Sequence, residues 1–285
     1  MDVTLRGAVP SDTRDCGRIL YEAFATLADR HGFPHDFPSI PVATENVGYL
    51  IRHPGFYGVV AEHDGRIVGS NFLDERSTIS AIGPISIDPA AQDLKVGRAL
   101  MNALFDRAGE TGTPGVRLLQ IAYHNRSLSL YAKLGMDVRG SFAAMYGEPL
   151  RISVPGYAVR PAMKADEEAC NALCIRVHGH DRAGEVRDAL ADGSAKVVER
   201  LGRITGYTTG VMYFAHSVAE TNDDLQALIG AADDFGTPGI IVPLANAELL
   251  RWCLAHGLRI FFVLNMMTIG LYQEPRGAYL PSVGY

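Results

Sequence analysis

Apolar positions along this chain follow two rhythms, and the switches between them predict its elements. From Asp12 to about Asp29, apolar residues recur three and four apart, which predicts a helix, and the same spacing predicts a short helix near Thr44 to Arg52. "FYGVVAEHDGRIVGSNFLDER" reads as two strands joined by a tight turn at Asp64-Gly65. A further strand ends at Ile87, before Asp88-Pro89, and Val96, Leu100 and Leu104 with Ala99 and Ala103 predict a helix from Leu94 or Lys95. "VRLLQIA" is the next strand, "RSLSLYAKLG" a helix closed by Gly135, and Val138 to Met145 a last strand. Helices interleaved with a largely consecutive sheet make an α/β layer of ordinary domain size.

The pattern then returns. Arg6, Ala8, Asp12 and Cys16 recur as Arg160, Ala162, Asp166 and Cys170. "GRIVG" at Gly65 returns as "GRITG" at Gly202, "GTPGV" at Gly112 as "GTPGI" at Gly236, and "NRSLSLYAKLG" is echoed by "NAELLRWCLAHG". Anchors in one order indicate an internal duplication. The punctuation of Pro149, Pro155 and Gly156 places the boundary between domains 1–149 and 150–285. The second copy is shorter between its anchors, and the missing positions fall on the central strand and the loop after it. There the chain offers Glu220, Asp223 and Asp224, carboxylates that suit a helix N-terminus and would repel a bound anion.

The corresponding loop of the first copy has the opposite chemistry. Its helix begins beside Lys95 and Arg98, with Gly97 in the first turn, so free backbone N–H groups, the positive helix end and two cations meet in one place. Any strand-to-helix loop offers free N–H groups, and the chain has neither a P-loop pattern nor a three-glycine dinucleotide fingerprint.

Charge and composition narrow the partners. The chain has 285 residues, 47% hydrophobic, with a formal charge of −6 and scattered basic residues, which argues against nucleic-acid and anionic-membrane surfaces. It shows neither a signal-peptide pattern nor an apolar run long enough to span a bilayer, which predicts a cytoplasmic protein. Cys16, Cys170, Cys174 and Cys253 lie in helical patterns and read as small buried hydrophobes. Neither Cys170 and Cys174 with His178 and His180, nor His31 and His35 in a proline-broken loop, makes a convincing metal site, so no metal is expected.

"IDPAAQDLKVGRALM" followed by "SLYAKLG" resembles the GCN5-related N-acetyltransferase (GNAT) superfamily, and the double arrangement ending in "MMTIGLYQEPRGAYLPSVGY" resembles two-domain bacterial members with a degenerate second domain. The resemblance implies tandem domains, each a mixed, mostly antiparallel sheet flanked by helices, the second lacking the pyrophosphate loop. It implies an acetyl-CoA-dependent N-acetyltransferase acting directly on a primary amine. The cofactor contacts it implies are Ile85, Ser86 and Ile87, the loop Gln92, Asp93, Leu94, Lys95, Val96, Gly97 and Arg98, and Asn125 and Ser127. Two positions depart from the family: Lys95 stands where relatives have glycine, so a left-handed backbone there would store strain, and His124 stands where many have asparagine.

Transfer requires that the amine lose a proton, the thioester oxygen be stabilised and the leaving thiolate be protonated. The resemblance gives the last role to Tyr131, and backbone N–H groups near Ile85 to Ile87 would meet the oxygen. Asp74 and Glu75 are candidates for the base, with Glu22 or a water chain as alternatives. The acceptor, a small-molecule or peptide amine, is expected over "RHGFPHDFPSIP", against Phe33, Phe37 and Glu22. One acetyl-CoA is expected per chain, with the second domain walling the acceptor cleft or pairing subunits into a homodimer. The rival reading is a non-catalytic acyl-CoA-binding or sensing module.

Overall fold

The computed structural model describes residues 3–91 and 94–284. Its first half runs β1 (Thr4–Gly7), α1 (Thr13–His31), α2 (Ile40–Arg52), β2 (Phe56–His63), β3 (Arg66–Asp74), β4 (Ser80–Ile82), β5 (Ser86–Ile87), α3 (Val96–Glu110), β6 (Gly115–Ile121), α4 (Asn125–Lys133) and β7 (Asp137–Tyr146). The second half runs β8 (Ala158–Pro161), α5 (Glu167–His178), α6 (Ala183–Asp192), β9 (Lys196–Arg200), β10 (Arg203–Thr208), β11 (Ser217–Ala219), α7 (Asn222–Gly230), β12 (Ile240–Pro243), α8 (Ala247–Ala255), β13 (Arg259–Gly270) and β14 (Ala278–Leu280). The fold is a mixed sheet flanked by helices. Helix α2 starts four residues before its apolar spacing does, because Pro41 fits the first turn, where no N–H is needed.

The duplication is visible atom by atom. Arg6 donates to both oxygens of Asp12 at 2.7 and 2.9 Å, and Arg160 does so to Asp166 at 2.7 and 3.0 Å. Each aspartate also accepts the backbone N–H three residues earlier, at Val9 and Met163. Both hairpin turns are left-handed at two successive residues, with φ of 50° and 72° at Asp64-Gly65 and 51° and 76° at Leu201-Gly202, the geometry that fits strand twist.

The large sheet runs β1-β2-β3-β4-β6-β13-β7-β12, with β5 also on β3, and the small one runs β14-β11-β10-β9-β8. The large sheet therefore draws strands from both repeats. Strand β13 lies between β6 and β7, antiparallel to both, from Leu264↔Ile121 to Gly270↔Gly115 on one edge and from Arg259↔Tyr146 to Thr268↔Asp137 on the other. Strand β12 pairs in turn with β7. The approach is close at Gly115, where a side-chain carbon would stand 2.5 Å from the Leu271 carbonyl oxygen. Phe142 and Ala144 of the first half share a core with Tyr213, Ile241, Phe262, Leu264 and Met266 of the second. Backbone ladders and apolar burial thus both cross between the repeats.

Candidate active site

The strand expected to end at Ile87 is broken. Gly83, at φ 138°, and Pro84, which has no N–H to give a ladder, separate β4 from β5. Strand β4 pairs in parallel with β6 at Ser80↔Val116 and Ala81↔Arg117, whereas β5 pairs with β3 at Gly69↔Ile87 and Ser70↔Ser86. Among the described residues no ladder joins β5 to β6. Their facing edges, Ile85 to Ile87 and Leu118 to Ile121, diverge around a cleft of about 960 Å³. That volume is at the upper end of the ~300–1,000 Å³ usual for ligand sites, enough for two reactants side by side.

Helix α3 opens on this cleft with Lys95, Gly97 and Arg98 among its lining. Lys95 has φ 60° and ψ 15°, so the lysine adopts the left-handed backbone that the family's glycine would adopt freely, at a cost of about 1–2 kcal/mol. No described side chain caps the helix. Gly97 is needed for packing: a side-chain carbon there would lie 3.0 Å from Ile87 Cδ1 and 3.2 Å from Leu130 Cδ2, so the glycine seats α3 between β5 and α4. The Val96 side chain is fully buried in a core with Leu100 and Leu104, Leu94 packs on the same core, and neither Val96 nor Leu94 lines the cleft. Gln92 and Asp93 lie outside the described residues.

Helix α4 brings Asn125, Ser127, Leu130 and Tyr131 to the same cleft. Ser127 Oγ donates to the His124 carbonyl and accepts from Gln120 Nε2, both at 3.0 Å. Gln120 is held in turn by Asn265 of β13, whose Nδ2 donates to Oε1 at 3.1 Å. Tyr131 is 5% exposed, and burial pushes its hydroxyl above the ordinary tyrosine range, so it keeps its proton at neutral pH. Burial lowers His124, helped by the charges of Arg126, His31 and Arg30, so its ring favours the neutral form.

The other sequence candidates divide. Asp74 lines the cleft but accepts Arg76 Nη2 at 2.6 Å, Nε at 2.9 Å and the Arg76 backbone N–H at 3.0 Å. Glu75 lies outside the lining and accepts Arg107 Nε at 2.8 Å and Nη2 at 3.1 Å. Glu22 is also outside it, paired with Arg18 at 2.5 Å. Phe37 lines the cleft, whereas Phe33 lies behind it, stacked on Tyr123 with centroids 4.4 Å apart.

The sequence suggested that the second half walls the cleft but named none of the residues by which it does so. Thr209, Met212, Tyr213, Phe214 and Ala215 line the cleft from the loop after β10, Glu185, Asp188 and Asp192 from α6, and Ser282 to Gly284 from the C-terminal segment. No periodicity could reveal them, because they come from segments far along the chain from the first-half lining. Asp36 and Tyr123 also line it. Asp36 lies in the aromatic loop between α1 and α2, next to Phe37.

At the matching place in the second half, Thr221 caps α7. Its side chain accepts the Asp224 N–H, and Asp224 Oδ2 accepts the Thr221 N–H at 3.0 Å. Asp224 is fully buried and also accepts from Thr205. A carboxylate thus fills the helix end that α3 leaves open.

Residues 19–136 match the model of the acetyltransferase (GNAT) family. Comparison with curated proteins finds no match. Among solved structures, one from Pyrococcus horikoshii described as an acetyltransferase is 17% identical with a TM-score of 0.73, covering 97% of this chain and 94% of that one. A GCN5-related N-acetyltransferase from Sphaerobacter thermophilus is 13% identical with a TM-score of 0.62, over 95% and 96%. A tandem GNAT protein from the clavulanic acid biosynthesis pathway is 15% identical with a TM-score of 0.55, over 94% and 98%. The chain therefore has the fold of these tandem GNAT structures, and its residues 19–136 match the acetyltransferase (GNAT) family model.

Proposed function

We propose that the protein is an acetyl-CoA-dependent N-acetyltransferase that moves the acetyl group directly to a primary amine in a ternary complex. The observation that carries this is the uncapped N-terminus of α3, with Lys95 and Arg98, opening onto the gap between β5 and β6 in one cleft with Tyr131. A pyrophosphate would be met by helix amides and two cations. The thioester would lie between the splayed strands, its oxygen facing the main chain of Ile85 to Ile87. Asn125 and Ser127 would border the pantetheine arm. Tyr131 would give its proton to the departing sulfur, and burial favours a phenol that is still protonated when the thiolate forms. The capped α7 supports a single cofactor site per chain, bound by the proposed domain 1–149, while the proposed domain 150–285 walls the cleft. Among the described residues no helix is long and apolar enough to cross a membrane, and the four free cysteines are buried, which suits the cytoplasm.

Acetyl-CoA at 100 times its dissociation constant should stabilise the fold by about 2.7 kcal/mol, seen as a higher melting temperature. Tyr131→Phe should keep that shift while release of free thiol slows by about 100-fold or more. Unchanged turnover would remove Tyr131 from the acid role. A shift without turnover on any amine would leave a binding module.

A further inference from the structure

Five carboxylates line the cleft: Asp36, Asp74, Glu185, Asp188 and Asp192. Four of them are already engaged. Asp74 and Asp188 share Arg76, with Asp188 accepting at 2.8 Å and also 3.3 Å from His53. Glu185 accepts from Arg182 at 2.8 and 2.7 Å, and Asp192 accepts the Ser194 N–H at 2.9 Å. Asp36 is the exception. Its Oδ1 is shut off from solvent and hydrogen-bonds to no described residue, which is costly unless something else arrives to pair with it.

The surroundings of Asp36 are aromatic. It lies in the loop between α1 and α2, flanked by Phe33 and Phe37. From Phe37 a run of ring contacts passes to Phe214 (6.5 Å), Tyr213 (5.4 Å), Phe262 (6.3 Å) and Tyr123 (6.2 Å), and returns to Phe33 (4.4 Å). The run begins and ends on that loop and draws rings from both halves of the chain. The charge of Asp36 helps to raise the hydroxyls of both Tyr123 and Tyr213, which line the same cleft. A single negative charge inside aromatic walls suits one ammonium group on an apolar, flat body, since the rings attract a cation and bury the body. A polyamine would bring further charges that find no unengaged carboxylate here.

We propose that Asp36 docks the acceptor, receiving the ammonium of a monocationic arylalkylamine whose ring lies among Phe37, Tyr123, Tyr213 and Phe214, and takes its proton. This rests on the acetyl transfer proposed above. Asp36 takes one proton from the ammonium, and the freed electron pair forms the C–N bond to the acetyl carbon. The C–S bond then breaks, the sulfur takes the Tyr131 proton, and the second amine proton returns to the Tyr131 oxygen. Asp36 finally loses its proton to solvent. Burial, opposed in part by His35, raises the Asp36 carboxyl to about 7, a value suited to accepting and releasing a proton near neutrality. Besides His35 on its own loop, the titratable groups its charge acts on are Tyr123 and Tyr213, while Arg30 and His31 of α1 line the same cleft.

The test compares 2-phenylethylamine and spermidine as acceptors for the wild type, Asp36→Asn and Asp36→Glu, with acetyl-CoA binding by calorimetry as a separate arm. The wild type should prefer 2-phenylethylamine in kcat/KM by about tenfold or more. Asp36→Asn should lose about 100-fold on that amine with acetyl-CoA binding unchanged, and Asp36→Glu should recover part of the loss. Removing the buried charge should also raise the melting temperature of Asp36→Asn above wild type at pH 8 and leave it unchanged at pH 4, a readout independent of activity. Acetyl-CoA binding with spermidine preferred, or with Asp36→Asn as active as wild type, overturns this proposal and leaves the acetyltransferase reading intact. Absence of acetyl-CoA binding overturns both.

Discussion

Helices α3 and α7 hold matching places in the two repeats of the chain, and their N-termini are opposites. In α3 the residue before the helix is Lys95, left-handed and strained, and the end carries no side-chain cap from the described residues. In α7 that residue is Thr221, in extended backbone, and a reciprocal pair of bonds with Asp224 satisfies the end. A helix terminus must find acceptors for its first N–H groups. The second copy finds one within itself, whereas among the described residues the first has no side-chain acceptor there. The difference teaches that a helix end can be closed from within its own sequence, by a carboxylate three residues on, or left open to a cleft.

The largest effect tests whether the copies can be compared as independent units at all. Residues 1–149 expressed alone would expose the edges of β6 and β7 that β13 covers, together with Phe142 and Ala144. We expect an aggregated or unfolded product, and co-expression with residues 150–285 to restore a soluble complex. A soluble, cooperatively melting fragment would show that the exchanged strand is dispensable.

Binding sharpens the comparison next. Calorimetry should give about one acetyl-CoA per chain, and Gly97→Val should abolish the thermal shift, because the added carbons meet Ile87 and Leu130 and push α3 away from β5. Two equivalent sites would mean that the α7 cap opens. Normal binding by Gly97→Val would move the site elsewhere.

Acid should weaken the second half most. Burial lowers His180 and His216 to about 4, with the charges of Arg117 and Arg182 adding to it, whereas unfolded histidine titrates near 6.5. Between those values the unfolded chain binds more protons, so the stability present above pH 6.5 falls as the pH drops toward 4, on the order of a few kcal/mol. Asp36 opposes this, since its raised carboxyl favours the folded state as pH falls below 7. His216→Gln should therefore flatten the fall of melting temperature between pH 6.5 and 4, and an unchanged slope would exclude His216 as a source.

The smallest effects are at the two caps and have opposite signs. Thr221→Ala should destabilise by about 1 kcal/mol, whereas Lys95→Gly should stabilise by up to about 1 kcal/mol by relieving the left-handed lysine. Chemical denaturation resolves both, and a destabilised Lys95→Gly would show that the lysine side chain contributes more than its backbone costs.

What the sequence determined by itself is the part of the molecule governed by local spacing and local chemistry. Helices α1, α3 and α4, the first hairpin, the strain at Lys95, the carboxylate at the start of α7 and the repeated anchors were legible, because periodicity, turn residues and caps act over a few positions. Parts of the site were legible for the same reason: the α3 loop is local, and Tyr131 sits at a readable place on its helix. The partners of Asp74, Glu75 and Glu22 were not, since Arg107 lies 32 positions from Glu75 and only the fold brings them together. Nor was the split of the central strand, where β5 stays on β3 and β6 turns to a strand nearly 150 positions away. The tertiary structure alone decided that exchange, the wall of Tyr213 and Phe214, and the isolation of Asp36 among rings from both halves. Edge pairing and burial select whichever segments fit in space, and no stretch of sequence carries a record of what will be packed against it.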